Sequence, residues 1–373
     1  MSHTPEADED DDLDTVPPPP PVFHVEQALL GALLLDPHRL GGITAITADS
    51  FSTAAHAALF TAISTLPAPD PAEHATSATW LDQVLTAALD HARGLTAPYL
   101  HTLIQNCPWP RHAPAYARMV EAEHARRHLR TAAEHLIQTV HDTSLPHPVR
   151  AVLAETDTLT AIVDDIASRF PPRSGVLPRT PPPLPATAPD HAEAVQEEQM
   201  LLATAAARPA DIESVRWLTA QDFIEPLHAG LWQCLCAMAR RHEPIDPVTV
   251  LWEAQQRSLL DHASKPGEVL HLLSEPAESV EQWGKRILHR SLLTTADHAG
   301  RRIQAYTDDP ATTPFQLVVG ARRALADIGA VRTRWQHATA TVPPPQPRQA
   351  PPTRAGPPAT ATAHLSRVTR VSR

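Results

Sequence analysis

The stretch Glu26-Gln27-Ala28-Leu29-Leu30 returns later in the chain as Glu198-Gln199-Met200-Leu201-Leu202, at a shift of 172 residues (198 − 26). The same shift, without a gap, pairs Pro37 with Pro209, Thr47 with Thr219, Phe51 with Phe223, His56 with His228 and Phe60 with Trp232. A single register held from position 26 to position 60 indicates an internal duplication. The chain therefore contains one structural unit written twice.

The later part of each unit keeps the match at a smaller shift. Leu100 corresponds to Leu270 at a shift of 170, and Tyr116-x-Arg118-x-Val120 corresponds to Trp283-x-Lys285-x-Ile287 at a shift of 167 (283 − 116). Loops of different length in the two copies explain the drift. We predict one domain over residues 21–170 and a second over residues 190–336.

Prolines and charges set the remaining segments apart. The chain has 373 residues, 40 prolines and a net charge of -11. Three Pro-dense stretches cannot form helix or sheet interiors. We predict a disordered acidic arm over 1–20, a Pro-rich linker over 171–189 and a disordered Pro/Arg-rich tail over 337–373. The arms either keep the chain in solution or, for the basic tail, bind nucleic acid weakly and without sequence preference. The candidate contacts are Arg348, Arg354, Arg367, Arg370 and Arg373.

Cysteine content and hydropathy bear on the compartment. Three cysteines are too few for a disulfide framework. No apolar run approaches the length of a membrane span, and an acidic start is unlike that of a signal peptide. We expect a cytoplasmic protein without membrane contact.

Apolar residues recur at helical spacing in the first unit. Val25, Leu29, Leu30, Leu33 and Leu34 form one stripe that ends at Asp36-Pro37. A short helical turn around Ile43 and Ile46, and helices over about 53–66, 77–91 and 96–106, complete a compact head. No stretch alternates with a period of two. We therefore predict an all-α fold without sheet.

A long helical hairpin follows the head. Residues 113 to about 141 form one predicted helix, a turn lies at 145–148, and a return helix follows with an apolar seam. The second unit repeats this plan. An isolated hairpin cannot bury its seam, so each hairpin needs another to pack against. The candidate interaction residues are Tyr116, Val120, Leu129, Leu136, Val152, Leu159, Val163, Trp283, Ile287, Val318, Leu325 and Ile328.

Three segments of the first unit resemble a known family. They are the Glu-Gln-x-Leu-Leu-Gly start at 26–31, the block Ser-Phe-x-x-x-x-His-x-x-Leu-Phe at 50–60 and the Asn-Cys-Pro break followed by Tyr-Ala-x-x-Val-Glu at 106–121. In order and type they resemble the N-terminal collar domain of DnaB-type replicative helicases. The resemblance implies an assembly domain that pairs with itself, forms a collar on a hexameric motor and engages primase and loading factors.

The second unit departs from this pattern. Leu33 and Leu34 are replaced by Ala205 and Ala206, and Ala203 stands where the first unit has Gly31. We also expect its return helix to be the shorter one. These losses reduce the contacts of its first helix.

The sequence offers no site for catalysis. A phosphate-binding loop needs Gly-x-x-x-x-Gly-Lys followed by Ser or Thr. The pair Gly284-Lys285 is followed by Arg286, and Ser279 stands at the first glycine position. We therefore expect no enzyme activity and no cofactor in this chain.

Histidines and cysteines give weaker signals. His124 and His128 are one helical turn apart, which suits either a metal or, more simply, a solvated face. Cys234 and Cys236 fall on different faces of a helix and favour packing roles. His56 and His228 occupy matching positions, which favours head packing over catalysis.

Three functions fit these patterns. The first is a non-catalytic replication assembly protein whose partners are itself, as an intramolecular pseudo-dimer or homo-oligomer, or a helicase or primase. The second is a helicase subunit whose ATPase motor lies on another chain. The third is a nonspecific nucleic-acid binder acting through the basic tail.

Overall fold

Every regular element that the structure describes is helical. The computed structural model describes residues 18–172, 191–260, 265–275 and 279–340. Within these ranges no residue lies in a strand, so the predicted all-α fold is confirmed. The acidic arm, most of the linker and nearly all of the basic tail lie outside the described residues, and the predicted domain limits stay predictions.

The first unit consists of a head and a long hairpin. Its α-helices are α1 (Pro21–Leu35), α2 (Ala54–Thr65), α3 (Pro71–His74), α4 (Thr79–Leu89), α5 (Ala97–Gln105), α6 (Ala113–His141) and α7 (Pro148–Arg169). Short 3-10 turns lie at Pro37–Gly42, Ala48–Ser50 and Pro110–His112. Helices α1 to α5 form head 1, and α6 with α7 forms the first hairpin.

The second unit follows the same plan. Its α-helices are α8 (His191–Ala207), α9 (Pro226–Arg241), α10 (Pro247–Gln256), α11 (Pro266–Leu272), α12 (Val280–Asp308) and α13 (Pro314–Thr339), with 3-10 turns at Pro209–Val215 and Ala220–Asp222. Helices α8 to α11 form head 2, and α12 with α13 forms the second hairpin.

Three sequence expectations need correction. Ile43 and Ile46 are buried between two 3-10 turns, not inside one helical turn. Helix α3 was not predicted; Asp70 caps it, with its carboxylate accepting from the N–H groups of Ala72 and Glu73. The expectation of a shorter second return helix is wrong, because α13 has 26 residues and α7 has 22. The apolar seam of α13 continues to the buried Ala338.

Proline marks where many of these helices begin. Its missing N–H and fixed φ suit the first helical position, where no intrahelical hydrogen bond is lost. Proline is the first residue of α1, α3, α7, α9, α10, α11 and α13. The high proline content therefore positions helix starts as well as marking the segments between units.

Gly31 explains a difference in packing between the two heads. A Cβ built on Gly31 would lie 2.0 Å from the carbonyl oxygen of Leu103 on α5. Only glycine permits this approach of α1 to α5, because no real Cβ comes so close to a backbone atom. The matching residue is Ala203 (31 + 172), so α8 cannot approach α11 in the same way.

The buried apolar residues form two separate cores. One lies in head 1 and extends onto the first turns of α6 through Ala117 and Val120. The other is continuous through head 2 and all four long helices, with Leu129, Leu159 and Ile303 among its members. The described residues as far as Ala338 form one compact unit, so the two hairpins share one interior.

Candidate assembly interface between the two hairpins

A buried carboxylate joins the first two α-helices of each head. The Glu26 carboxylate is fully buried and accepts hydrogen bonds from the Ser52 N–H at 2.7 Å and the Ser52 hydroxyl at 2.9 Å. A further hydrogen bond of 2.6 Å joins it to Nδ1 of His56. Three partners compensate the desolvation of this carboxylate. The contact therefore ties α1 to the start of α2.

Head 2 repeats this arrangement with a different set of neighbouring donors. Glu198 is fully buried, accepts from the Ile224 N–H at 2.7 Å, and lies 2.9 Å from Nδ1 of His228. In head 2 the Arg290 guanidinium also donates to Glu198, at 2.7 Å. In head 1 the hydroxyl of Tyr99 instead lies 2.7 Å from Nε2 of His56. Both matched histidines are buried in their heads, and they position helices.

The heads place the long helices so that the hairpins meet. Helix α6 packs along α7 and also along α12, and α12 in turn contacts α7. On α13, Gly320 lies directly against the Tyr306 ring of α12, and Asp327 accepts from Arg302 at 2.7 Å. These contacts bring α6, α7, α12 and α13 together as a four-helix bundle.

A close approach of α6 and α12 lies at matching positions. A Cβ built on Gly300 would lie 2.7 Å from Cγ1 of Ile137 and 3.3 Å from the carbonyl oxygen of Ala133. Ala133 and Gly300 correspond at the shift of 167 (300 − 133). Two equivalent positions that touch lie close to a local two-fold axis. Helices α6 and α12 are therefore related by an approximate two-fold rotation within one chain.

Ion pairs on either side of this point obey the same symmetry. Arg130 on α6 lies 3.1 Å from Asp308 on α12, and His141 on α6 lies 3.0 Å from Asp297 on α12. At the shift of 167, Arg130 maps onto Asp297 and His141 maps onto Asp308. Each pair is thus the other's symmetry mate, which also shows that the two helices run antiparallel.

The two pairs differ in burial. The side chain of Asp297 is 8% exposed, whereas that of Asp308 is 52% exposed. Burial raises the pKa of Asp297, but hydrogen bonds from Arg301 and His141 outweigh it and hold the pKa below its ordinary value. Asp297 is therefore held in its ionised form by two donors, and it is the more strongly constrained of the two aspartates.

Arg126 binds the turn of the partner hairpin. Its guanidinium donates to the carbonyl oxygens of Asp309 at 2.7 Å and Thr312 at 2.5 Å, and to those of Thr307 and Pro310 at 3.3 Å. Carbonyls at the end of a helix lack intrahelical partners and attract cations. Arg126 therefore locks the α12–α13 turn onto α6. The matching residue in the second unit is Leu293 (126 + 167), so this contact is not duplicated.

The return helices carry complementary charges. Asp157 and Asp164 on α7 form ion pairs with Arg332 and Arg322 on α13, the second at 2.8 Å. All four side chains are substantially exposed. Exposed pairs contribute about 0–1 kcal/mol each, so their main effect is on register.

The predicted interaction residues divide between two places. Tyr116 and Val120 belong to the core of head 1. Trp283 is half-buried against the shared core. The others lie buried within that core, covered by helices of the same chain: Leu129, Leu136, Val152, Leu159, Val163, Ile287, Val318, Leu325 and Ile328. The candidate arginines of the tail lie outside the described residues.

Sequence reasoning did not identify the polar contacts across the bundle. Arg126, Arg130, His141, Asp297 and Asp308 all lie on helices whose apolar seam was recognised. One signal was available in the sequence. Two residues of α6 and the residues of α12 that the 167-residue shift pairs with them carry opposite charges. That signal becomes readable only once α6 and α12 are known to be antiparallel.

The remaining histidines and cysteines show packing contacts. His124 and His128 stack at 6.0 Å, and no group of three potential metal ligands occurs within the described ranges. Cys234 is buried and Cys236 is half-buried, where burial raises the pKa of Cys236 to about 11. At that pKa the thiol is protonated and unreactive at neutral pH.

Across the ranges that the structure describes, no helix is both long and apolar enough to cross a membrane.

The fold and the interface define the class of protein: a duplicated all-helical domain whose long hairpins pair. The chain belongs to the family described as DnaB-like helicase N terminal domain, whose model matches residues 18–122 and 190–287, more than half of the chain. This membership implies a protein associated with DNA replication. Comparison with curated proteins and with solved structures found no match.

The matched segments contain both heads and the first turns of α6 and α12. The contacts between the hairpins lie beyond residues 122 and 287. They therefore come from this structure alone.

Proposed function

We propose that this chain is a non-catalytic assembly protein of DNA replication whose two units pair with each other. The pair is then a covalently linked counterpart of the dimer that collar domains of replicative helicases form from separate chains. The observation that carries the proposal is the approximate two-fold packing of α6 on α12, with its reciprocal pairs Arg130–Asp308 and His141–Asp297.

Pairing within one chain has a concentration advantage. Two partners joined in one chain are held at an effective concentration of about millimolar, which favours the intramolecular pair over exchange with another chain. The apolar seams of both hairpins are occupied in this arrangement. Partners such as a helicase or a primase would therefore contact the outer faces of the heads and hairpins, and the seams would stay closed.

Light scattering of the purified chain tests the pairing. We expect the 40.5 kDa monomer or assemblies of a small, even number of chains. The measured mass should not depend on the presence of a helicase. Odd-numbered or open-ended oligomers would contradict a closed pair, because an unsatisfied seam leads to continued association.

An ATPase assay tests the non-catalytic role. We expect no hydrolysis of ATP by the purified chain, with or without single-stranded or double-stranded DNA. Appreciable DNA-stimulated hydrolysis that survives further purification would overturn the proposal and favour an active helicase subunit.

A further inference from the structure

Head 2 has an open groove next to its 3-10 turn. The groove encloses about 1070 Å³ and lies between Pro209–Val215, α9 and residues 242–245. Its wall is partly apolar, with Ile212, Leu218, Trp232, Ala239 and Ile245, and its rim carries both basic and acidic side chains: Arg216, Arg240, Arg257, Glu213 and Glu243. We call it the head-2 groove.

In head 1 the surface equivalent to this groove is contacted by another segment of the same head. The segment 66–78 leaves α2, includes α3 and returns to α4. Nε2 of His38 lies 3.1 Å from the carbonyl oxygen of Pro69, and the indole N–H of Trp80 donates to that of Pro67 at 3.1 Å. His38 corresponds to Ala210 (38 + 172), and Ala210 lines the head-2 groove.

A second contact holds this segment against head 1. Nε2 of His74 lies 2.9 Å from the carbonyl oxygen of Leu34, at the end of α1, and its ring meets Trp80 edge-on at 5.4 Å. The segment has the sequence Leu-Pro-Ala-Pro-Asp-Pro-Ala-Glu-His-Ala-Thr-Ser-Ala. The prolines at 67, 69 and 71 restrict the backbone of this stretch, so it loses little conformational entropy when it lies along a surface.

Head 2 lacks a counterpart of this segment. Helix α9 has 16 residues where α2 has 12, and only residues 242–246 separate it from α10. The connection begins with His242 in the left-handed conformation (φ 56°). This short connection forms one edge of the groove and leaves the wall open.

Arg240 favours an acidic occupant of the groove. Of the other charged residues at the rim, Arg216 and Arg257 are paired with Glu213 and Glu253, and Glu243 is paired with Arg241. Arg240 is exposed and has no hydrogen bond or ion pair in the part of the chain that the structure describes. In head 1 the covering segment carries Asp70 and the exposed Glu73. An acidic peptide laid in the groove would bring its carboxylate to Arg240.

We propose that the head-2 groove binds a proline-containing acidic peptide of a partner protein, in the place that segment 66–78 takes in head 1. The proposal does not depend on whether the two units pair as the proposed function requires. The chain supplies the probe itself, because a synthetic peptide with the sequence of residues 66–78 has the required composition.

Binding of this labelled peptide to the full chain is measured by fluorescence anisotropy. We expect saturable 1:1 binding that weakens about tenfold or more with Ala210→Trp, which fills the groove at an exposed position, since each 1.4 kcal/mol changes affinity tenfold. Arg240→Glu, and a peptide with Asp70 and Glu73 changed to Asn and Gln, should each weaken binding severalfold. Ala154→Trp, on the exposed face of α7, is the matched control and should leave affinity unchanged.

Thermal unfolding followed by circular dichroism confirms that each variant is folded. Equal affinity for the parent chain and Ala210→Trp would overturn the proposal. A chain lacking residues 1–17 that binds the peptide much more tightly would also overturn it, because the acidic arm of the chain would then be the occupant.

Discussion

Glu26 and His56 meet in the interior of head 1, with 2.6 Å between Oε2 and Nδ1 and neither side chain exposed. Glu198 and His228 repeat this relationship in head 2, again 30 residues apart. The two motifs that define the duplication, Glu-Gln-x-Leu-Leu and the histidine thirty residues later, are thus two ends of one buried contact. The identity of both residues in both units follows from this contact.

Replacing the buried carboxylate should destabilise the chain. In Glu26→Gln, one of the two oxygens that accept from Ser52 and His56 becomes a donor, and a buried donor is left facing donors. We expect a loss of about 2–3 kcal/mol in the free energy of unfolding, the usual range for a hydrogen bond to a buried charged group. Urea unfolding followed by circular dichroism measures it. Glu73→Gln, on the exposed α3, is the control, and equal stability of the two variants would remove the structural role assigned to Glu26.

Two helical glycines of the second hairpin should respond in opposite ways to alanine. Gly300→Ala places a methyl group 2.7 Å from Cγ1 of Ile137 and 3.3 Å from the carbonyl oxygen of Ala133, so the side chain of Ile137 or α6 itself must shift, at a cost of about 1–3 kcal/mol. Gly329→Ala has no atom within 4 Å and should add up to about 1 kcal/mol through helix propensity. Thermal unfolding compares the two. A stabilising Gly300→Ala would show that α6 and α12 are not closely packed in solution.

The symmetry-related aspartates should contribute unequally. Asp297→Asn breaks a nearly buried set with His141 and Arg301, and we expect a loss of about 1–3 kcal/mol. Asp308→Asn breaks an exposed pair with Arg130 and should cost about 0–1 kcal/mol. Because the folded pKa of Asp297 is depressed, its contribution is present above the ordinary value of 3.8 and is lost as pH falls through the folded pKa. Denaturation midpoints at pH 7 and pH 3 measure both effects, and they should differ less in Asp297→Asn than in the parent chain.

Acid should weaken the second hairpin through His289. Burial lowers the pKa of His289 below 6.5, and its ring lies 5.9 Å from that of Trp335 on α13. The unfolded chain then binds a proton more readily than the folded one, so stability falls as pH drops below about 6.5. The stability of the His289→Gln variant should therefore fall less over this pH range than that of the parent chain. Unfolding curves from pH 7.5 to 5 measure it, and an identical pH profile in the variant would exclude the role of His289.

Local sequence patterns were sufficient for the longer helices and for the duplication. The long helix was predicted over residues 113 to about 141, and α6 is Ala113–His141. The prediction was possible because a single apolar stripe begins after the break at Pro110, and the helix ends where that stripe ends. Thr53 and Thr96 cap helices that begin one residue later. Short-range periodicity and capping depend on neighbours in the chain, so they can be read from sequence.

Other features depend on residues far apart in the chain. Helix α3 has four residues, too few for a periodic signal. Gly31 was read as part of a motif, and its physical role appears only where α1 meets the backbone of Leu103. The length of α13 was misjudged because its last turns are buried by packing in the shared core.

The amino-acid sequence alone determined that the chain contains two copies of one helical unit, because a repeated motif and a helical period are local properties of the chain. How the two copies meet depended on the folded molecule. Three features join residues that are far apart in sequence: the antiparallel packing of α6 on α12, the hydrogen bonds of Arg126 to the α12–α13 turn, and the open groove of head 2. Such contacts follow from the shape of packed surfaces, which no short stretch of sequence encodes.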